Sequence, residues 1–314
     1  MVRNSNVFFD INERTMTKLP ALIRSMRLRT LPLSLAGVVF GILIAAGDGP
    51  VSATTIVFTL LTTVSLQILS NLCNELGDYQ AGVDVDGRNG PQYSLQSGTL
   101  TARDLRNAII AMVVTCCVTG LLMVGFSYHW QVGWQPIGLL LLGACAIWAA
   151  MRYTIGKNPY GYKGLGDIFV FLFFGLVSVM GGYFVQRHTL SPWLLLPASA
   201  IGLFSIGVLN VNNIRDMASD QGLRKTIPLR IGERPAKIYH TLLITTGWAL
   251  LVAYNLLQPY TPLQWLCLLT LPFYIFHLYG VWHRSDRQLD PMLPLLVITT
   301  FLLSLLNGFP IALH

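Results

Sequence analysis

Formal charge is absent from seven long stretches of this chain, at 31–47, 49–74, 107–151, 168–186, 188–214, 238–283 and 291–314, which together hold 204 of 314 residues. A helix crossing a hydrocarbon core about 30 Å thick needs roughly 20 predominantly apolar residues. Five of the runs have room for one span each, and the runs of 45 and 46 residues have room for two. The expectation is an all-α polytopic membrane protein of nine transmembrane helices, near 31–47, 51–70, 108–127, 137–151, 167–185, 193–210, 239–257, 264–282 and 292–309. Residues 1–30 then form an N-terminal segment and residues 31–314 a single nine-helix domain.

Charged residues make up 11% of the chain, against roughly 25% in soluble domains. That deficit excludes intrinsic disorder and a nucleic-acid-binding module, although the net charge is +7. Four of the five cysteines lie inside apolar runs and the fifth, Cys73, at the end of one, so they read as packing residues and not as a disulfide framework. Residues 1–30 lack the apolar core of a signal peptide, which makes the first run an uncleaved span.

The basic residues set an orientation. Twenty of the 21 Lys and Arg fall in the N-terminal segment or in connections 2–3, 4–5, 6–7 and 8–9, and only Arg187 falls on the other side. The positive-inside rule places that basic side, with the N-terminus, in the cytoplasm. Thirteen of the 14 acids, all but Asp48, lie on the same side. Anionic lipid does not attract carboxylates, so their gathering points to a functional polar face.

Two connections there repeat a pattern. After span 2 come Asn71, Asn74, Glu75, Asp78, Asp84 and Arg88, and after span 6 come Asn212, Asp216, Asp220, Arg224 and Lys225. In both, an Asn precedes an Asp by four residues, a second Asp follows, and an Arg comes four residues later; the middle gap differs by two. Spans 2 and 6 are four helices apart, as a duplicated unit would place them. Asn71, Asn74, Glu75 and Asp78 share one helical face, and Asn212, Asp216 and Asp220 are successive i, i+4 positions. Oxygen groups without His or Cys suit Mg²⁺, which is usually bound by one or two carboxylates plus substrate phosphate. With Arg88, Arg224 and Lys225 at the edges, facing clusters could hold a diphosphate. The alternative, two solvated loops, leaves unexplained why polar residues occupy the last turns of apolar spans, where they are costly.

These segments, with Arg27-Leu-Arg29-Thr-Leu-Pro32, Tyr153-Thr154, the run Tyr162 to Gly175 containing Gly-Leu-Gly-Asp167, and Arg230-Ile-Gly232, resemble the UbiA superfamily of intramembrane aromatic prenyltransferases. The likeness covers roughly residues 20–310 and is greatest to members that act on 1,4-dihydroxy-2-naphthoate. It implies Mg²⁺-dependent transfer of a polyprenyl group from a polyprenyl diphosphate to that acceptor, with decarboxylation, giving a demethylmenaquinone in a bacterial inner membrane. Asn74, Glu75, Asp78, Asp84, Asn212, Asp216 and Asp220 are then the metal ligands, with Asn71 a ligand or an orienter of one. Glu75 stands where the family usually has Asp. Arg88, Arg224, Lys225, Lys157 and Arg29 are candidates for the diphosphate.

Tyr153 could shield a carbocation through its π-face or anchor the interface. Asp167 could stabilise positive charge, accept a proton, orient acceptor hydroxyls or cap a helix. Gly37, Gly41, Gly181 and Gly182 read as close-packing positions, and the six His show no metal-ligand spacing. A 4-hydroxybenzoate or homogentisate acceptor stays open. So does a secondary transporter, although the centres of all nine expected spans lack Asp, Glu, Lys and Arg.

Overall fold

The computed structural model describes residues 18–82 and 94–314. Among them nine helices are long and apolar enough to cross a membrane: α1 (Lys18–Gly47), α2 (Ala53–Gln80), α3 (Ala102–Ser127), α4 (Trp134–Arg152), α5 (Gly166–Arg187), α6 (Pro192–Arg215), α7 (Glu233–Leu257), α8 (Pro262–His283) and α9 (Asp286–Ala312). The described residues contain no strand.

Each helix falls on an expected span, α2 starting two residues later than expected, and several run past it at the basic end. α2 continues to Gln80 and carries Asn71, Asn74, Glu75 and Asp78 as part of the helix. α3 starts early because Thr101 and Asp104 form a reciprocal capping box, Thr101 Oγ1 accepting from the Asp104 amide at 3.1 Å and Asp104 Oδ2 from the Thr101 amide at 3.0 Å. α7 starts at Glu233, whose carboxylate pairs with Lys237 one turn on at 2.7 Å. α1 is broken at Arg27 (φ 49°) by a 3₁₀ turn over Leu28–Thr30, before Pro32 in the first turn of the next segment.

Apolar side chains gain little by leaving lipid for a neighbouring helix, so association rests on close packing. Where α1 crosses α5, a Cβ on Gly41 would lie 2.0 Å from the Val179 carbonyl oxygen, and one on Gly182 would lie 2.6 Å from that of Val38. Gly37 is equally tight, as expected. Gly181 is not: a Cβ there would meet no atom within 4 Å, because it borders a cavity.

α6 packs on α5, α7 and α9, and α9 on α1 and α8. Between them lies the main core, including Phe40, Ile44, Phe204, Leu251, Tyr254 and Tyr274. His240 and His277 meet there, Nε2 to Nε2 at 2.9 Å, a pairing that sequence spacing did not show. α2 and α3 form a second core, on which α4 rests. α4 makes little contact with α5, which leaves a seam between them. At the far end from the basic connections, Asp48 accepts hydrogen bonds from Tyr183 at 2.7 Å and Tyr260 at 3.0 Å, tying α1 to α5 and to the α7–α8 turn.

Candidate active site

A cavity of about 360 Å³ lies among α1 to α6. Its wall on α5 runs from Phe169 to Val185, about 24 Å at 1.5 Å per residue. Phe171–Val177 wind as a π-helix, a form often found at functional sites. Steps of four overshoot a turn in the α-helical parts and fall short of one in the wider π-turns. Phe169, Phe173, Val177, Gly181 and Val185 therefore all border the cavity. Leu139, Leu142 and Met123 keep it apolar, while Gln67, Asn71, Asn74 and Tyr153 make its basic-side end polar.

Beyond that end the two polar segments converge. Asp78, at the last turns of α2, accepts a hydrogen bond from the Tyr162 hydroxyl at 2.7 Å and pairs with Arg224 through the same oxygen, Oδ1. Arg224 Nη1 is 3.8 Å from Asp220 Oδ2, and the guanidinium carbon lies 4.9 Å from the Tyr162 ring centroid. One guanidinium thus spans the two segments. Asp220 is 1% exposed and the Arg224 side chain 11%. Burial alone would lower the Arg224 pKa, but the Asp78 and Asp220 carboxylates raise it above its ordinary value. Burial, and then Asp78, push the Tyr162 phenol up.

Asp216, also fully buried, is held bidentately by Arg215, Nε to Oδ1 and Nη2 to Oδ2, each 2.8 Å. Arg215 further donates to Asn212 Oδ1 at 2.9 Å and to Asp290 Oδ1 at 3.0 Å. α6 ends at Arg215, yet the amides of Asp216 and Asp220 still bond the carbonyls four residues back, at 3.1 and 2.9 Å. The expected i, i+4 row therefore persists through the short turn Met217–Asp220.

Asn71 anchors α1: its Nδ2 donates to the Met26 carbonyl at 2.8 Å and to Thr30 Oγ1 at 3.0 Å. Asn74 accepts from Thr154 at 3.3 Å. Glu75 is fully buried beside the first cluster and accepts the Leu95 amide at 3.1 Å through Oε1. Tyr153 lines both the large cavity and a one-water recess that also holds Asp167 and Arg224. Burial pushes its phenol up to about 12; Arg224 pulls it down, and Asp78, Asp167 and Asp220 push it up. Asp167 lies in the first turn of α5, whose N-cap residue is Leu165, and accepts a hydrogen bond from Tyr239 at 2.8 Å. Arg29, Lys157 and Lys225 are exposed at the same end, Lys225 donating its backbone amide to the Tyr162 carbonyl at 2.9 Å. Asp84 and Arg88 lie outside the described residues.

The model of the UbiA prenyltransferase family matches residues 34–306. This chain belongs to the UbiA prenyltransferase family. It is similar to the 1,4-dihydroxy-2-naphthoate octaprenyltransferase of Escherichia coli (strain K12), at 38% identity over 94% of this chain and 96% of that protein. The enzyme of the same name from Haemophilus influenzae is 34% identical over 92% and 94%. Among solved structures, an apo UbiA homolog from Aeropyrum pernix K1 shares the fold with a TM-score of 0.69 at 17% identity, over 88% of this chain and 96% of that one. A UbiA homolog from Archaeoglobus fulgidus, bound to GPP and Mg²⁺, gives 0.62 at 17% identity, over 92% and 100%.

As a UbiA family member the chain is a prenyltransferase and an integral membrane protein. Among the described residues no three acidic, His or Cys side chains converge as a metal cage. What is present is a pair of buried carboxylates, Asp78 and Asp220, already sharing one cation, with oxygen donors nearby. That set fits a hard divalent ion completed by substrate phosphate. Sequence reasoning missed Arg215 and Tyr239 as site residues. Arg215 had a signal, a charge inside the second segment next to Asp216. Tyr239 had none, since it meets Asp167 from 72 positions away.

Proposed function

We propose that this chain transfers a polyprenyl group from polyprenyl diphosphate to 1,4-dihydroxy-2-naphthoate with loss of CO₂, forming the demethylmenaquinone skeleton. The observation that carries this reading is the junction of the long apolar cavity with the Asp78–Arg224–Asp220 cluster. The cavity suits an isoprenoid tail and the cluster its diphosphate head, and full-length relatives bear the octaprenyltransferase name.

Asp78, Asp216 and Asp220, with Asn74, Asn212 and, beyond the described residues, Asp84, would hold Mg²⁺, with Glu75 buried beside them. Bound there, the ion supplies Lewis-acid charge neutralisation. Arg224 lies where it can take negative charge developing on the leaving diphosphate, and Lys225, Lys157, Arg29 and Arg88 add positive potential around the mouth. Ionisation of the allylic C–O bond leaves a carbocation beside Tyr153, whose neutral ring offers its π-face. The carboxyl-bearing carbon of the acceptor attacks the cation, and that carbon then loses CO₂. The new C–C bond thus replaces the C–CO₂⁻ bond, diphosphate leaves, and no external proton is consumed. Asp167, fixed by Tyr239, orients the acceptor's hydroxyls. The basic end faces the cytoplasm, by the positive-inside rule, in a bacterial inner membrane.

The test is purified protein with Mg²⁺, polyprenyl diphosphates and candidate acceptors. Prenylation with release of CO₂ from 1,4-dihydroxy-2-naphthoate is expected. Turnover of 4-hydroxybenzoate or homogentisate with none of the naphthoate would overturn the acceptor assignment.

A further inference from the structure

We infer that Arg224 is an internal counter-ion that holds the two aspartate segments together without metal, and that diphosphate must draw it away before Asp78 and Asp220 can bind a divalent ion. This rests on the diphosphate–metal reading of the site and concerns the order in which its parts assemble.

Three observations carry it. Arg224 pairs with Asp78 from α2 and approaches Asp220 from the turn after α6, so it occupies the place between two carboxylates that a cation would take. Both carboxylates are buried, and removing one partner of a buried ion pair is costly by several kcal/mol. Withdrawal of the guanidinium before another cation arrives is therefore disfavoured. Finally, Arg224 stands in an irregular stretch, Gln221–Lys225, with Gly222 at φ +81°, so its side chain is not fixed by helical packing.

A diphosphate offers the guanidinium several anionic oxygens in the bidentate geometry it favours. Once it is drawn there, both carboxylates lose a cation that lies between them, and their affinity for a divalent ion rises. Linkage makes the effect reciprocal: diphosphate tightens metal binding by the same factor as metal tightens diphosphate binding. A metal ion alone must instead displace Arg224 against Coulomb repulsion. Tyr162 also donates to the Asp78 oxygen that Arg224 holds.

The experiment is Mn²⁺ binding to full-length protein, followed by electron paramagnetic resonance, alone and with inorganic pyrophosphate. In the wild type, Mn²⁺ alone binds weakly and pyrophosphate strengthens binding. In Arg224→Gln, Mn²⁺ alone binds at least about tenfold tighter, or about 1.4 kcal/mol, and the gain from pyrophosphate shrinks. Arg224→Lys keeps the charge and stays near the wild type, which separates charge from folding; thermal melting verifies that both variants fold. A folded Arg224→Gln that binds Mn²⁺ alone no better than the wild type overturns the counter-ion role. A wild type that binds no Mn²⁺ even with pyrophosphate overturns the site reading itself.

Discussion

Gly181→Phe should convert this enzyme into one restricted to short prenyl chains. Position 181 is bordered by the cavity and a Cβ there meets no protein atom within 4 Å, so the new ring enters the space proposed for the isoprenoid tail and leaves the helix packing alone. From Phe169, whose ring stacks on Tyr160 at 3.9 Å near the polar end, position 181 lies about 18 Å up α5 at 1.5 Å per residue. An isoprene unit adds four backbone bonds. Scaled from the three-bond peptide repeat of 3.3–3.6 Å, that is about 5 Å. The first three units fit below position 181, and the fourth meets the ring. Overpacking costs typically about 1–3 kcal/mol, which is roughly a 5- to 150-fold loss at 1.4 kcal/mol per decade.

The assay compares kcat/KM for farnesyl and octaprenyl diphosphates in wild type and variant. Farnesyl transfer should hold within about twofold while octaprenyl transfer falls by the range above. Two alanine controls separate substrate from packing. Gly181→Ala should keep both activities and raise stability by up to about 1 kcal/mol, from helix propensity. Gly182→Ala drives a Cβ to 2.6 Å from the Val38 carbonyl oxygen and should lower the melting temperature. Equal losses for the two chain lengths in Gly181→Phe would refute the tail assignment.

Asp78→Ala and Asp216→Ala, in protein that remains folded by thermal melting, should each lower turnover at least about 100-fold, the scale of losing a transition-state charge contact. Removing divalent ions with EDTA should stop prenyl transfer, and adding Mg²⁺ or Mn²⁺ back should restore it. The Tyr153 phenol is raised to about 12, so it stays protonated throughout pH 7 to 9. Tyr153→Phe should therefore leave the alkaline limb of the rate profile in place; a limb that moves would assign that titration to Tyr153. The sign for stability follows too: this phenol favours the folded state below the unfolded value near 10, and the benefit is lost as pH rises through 12.

The nine spans were legible because lipid forces apolarity over a whole helix length, a constraint that charge-free runs record directly. Their ends were not, since a helix can leave the apolar layer and continue on capping and ion pairs, as Asp104 and Glu233 show. The two polar segments were legible because helical spacing assigns Asn71, Glu75 and Asp78 to one face. Spacing says nothing about who sits opposite. The Tyr162–Asp78 and Tyr239–Asp167 contacts join residues 84 and 72 positions apart, and only helix packing decides them. Gly181 shows the same limit in reverse. As a residue type it reads like Gly182 beside it, yet a Cβ on Gly182 would meet α1 and one on Gly181 would meet open space.

The arginines of this site follow from the burial of its acids. Asp78, Asp216 and Asp220 are buried beyond the polar end of the cavity, where Coulomb interactions are strong and solvation weak. Buried carboxylates are costly without a cation beside them. Arg215 supplies it for Asp216 and Arg224 for Asp78 and Asp220. The two guanidiniums differ in how they are tied. Arg215 ends a long helix and is gripped by Asn212, Asp216 and Asp290 at once, so moving it breaks four hydrogen bonds. Arg224 stands in an irregular turn. On the proposed reading of the site, Arg215 is the counter-ion that stays and Arg224 the one that yields when diphosphate and metal enter.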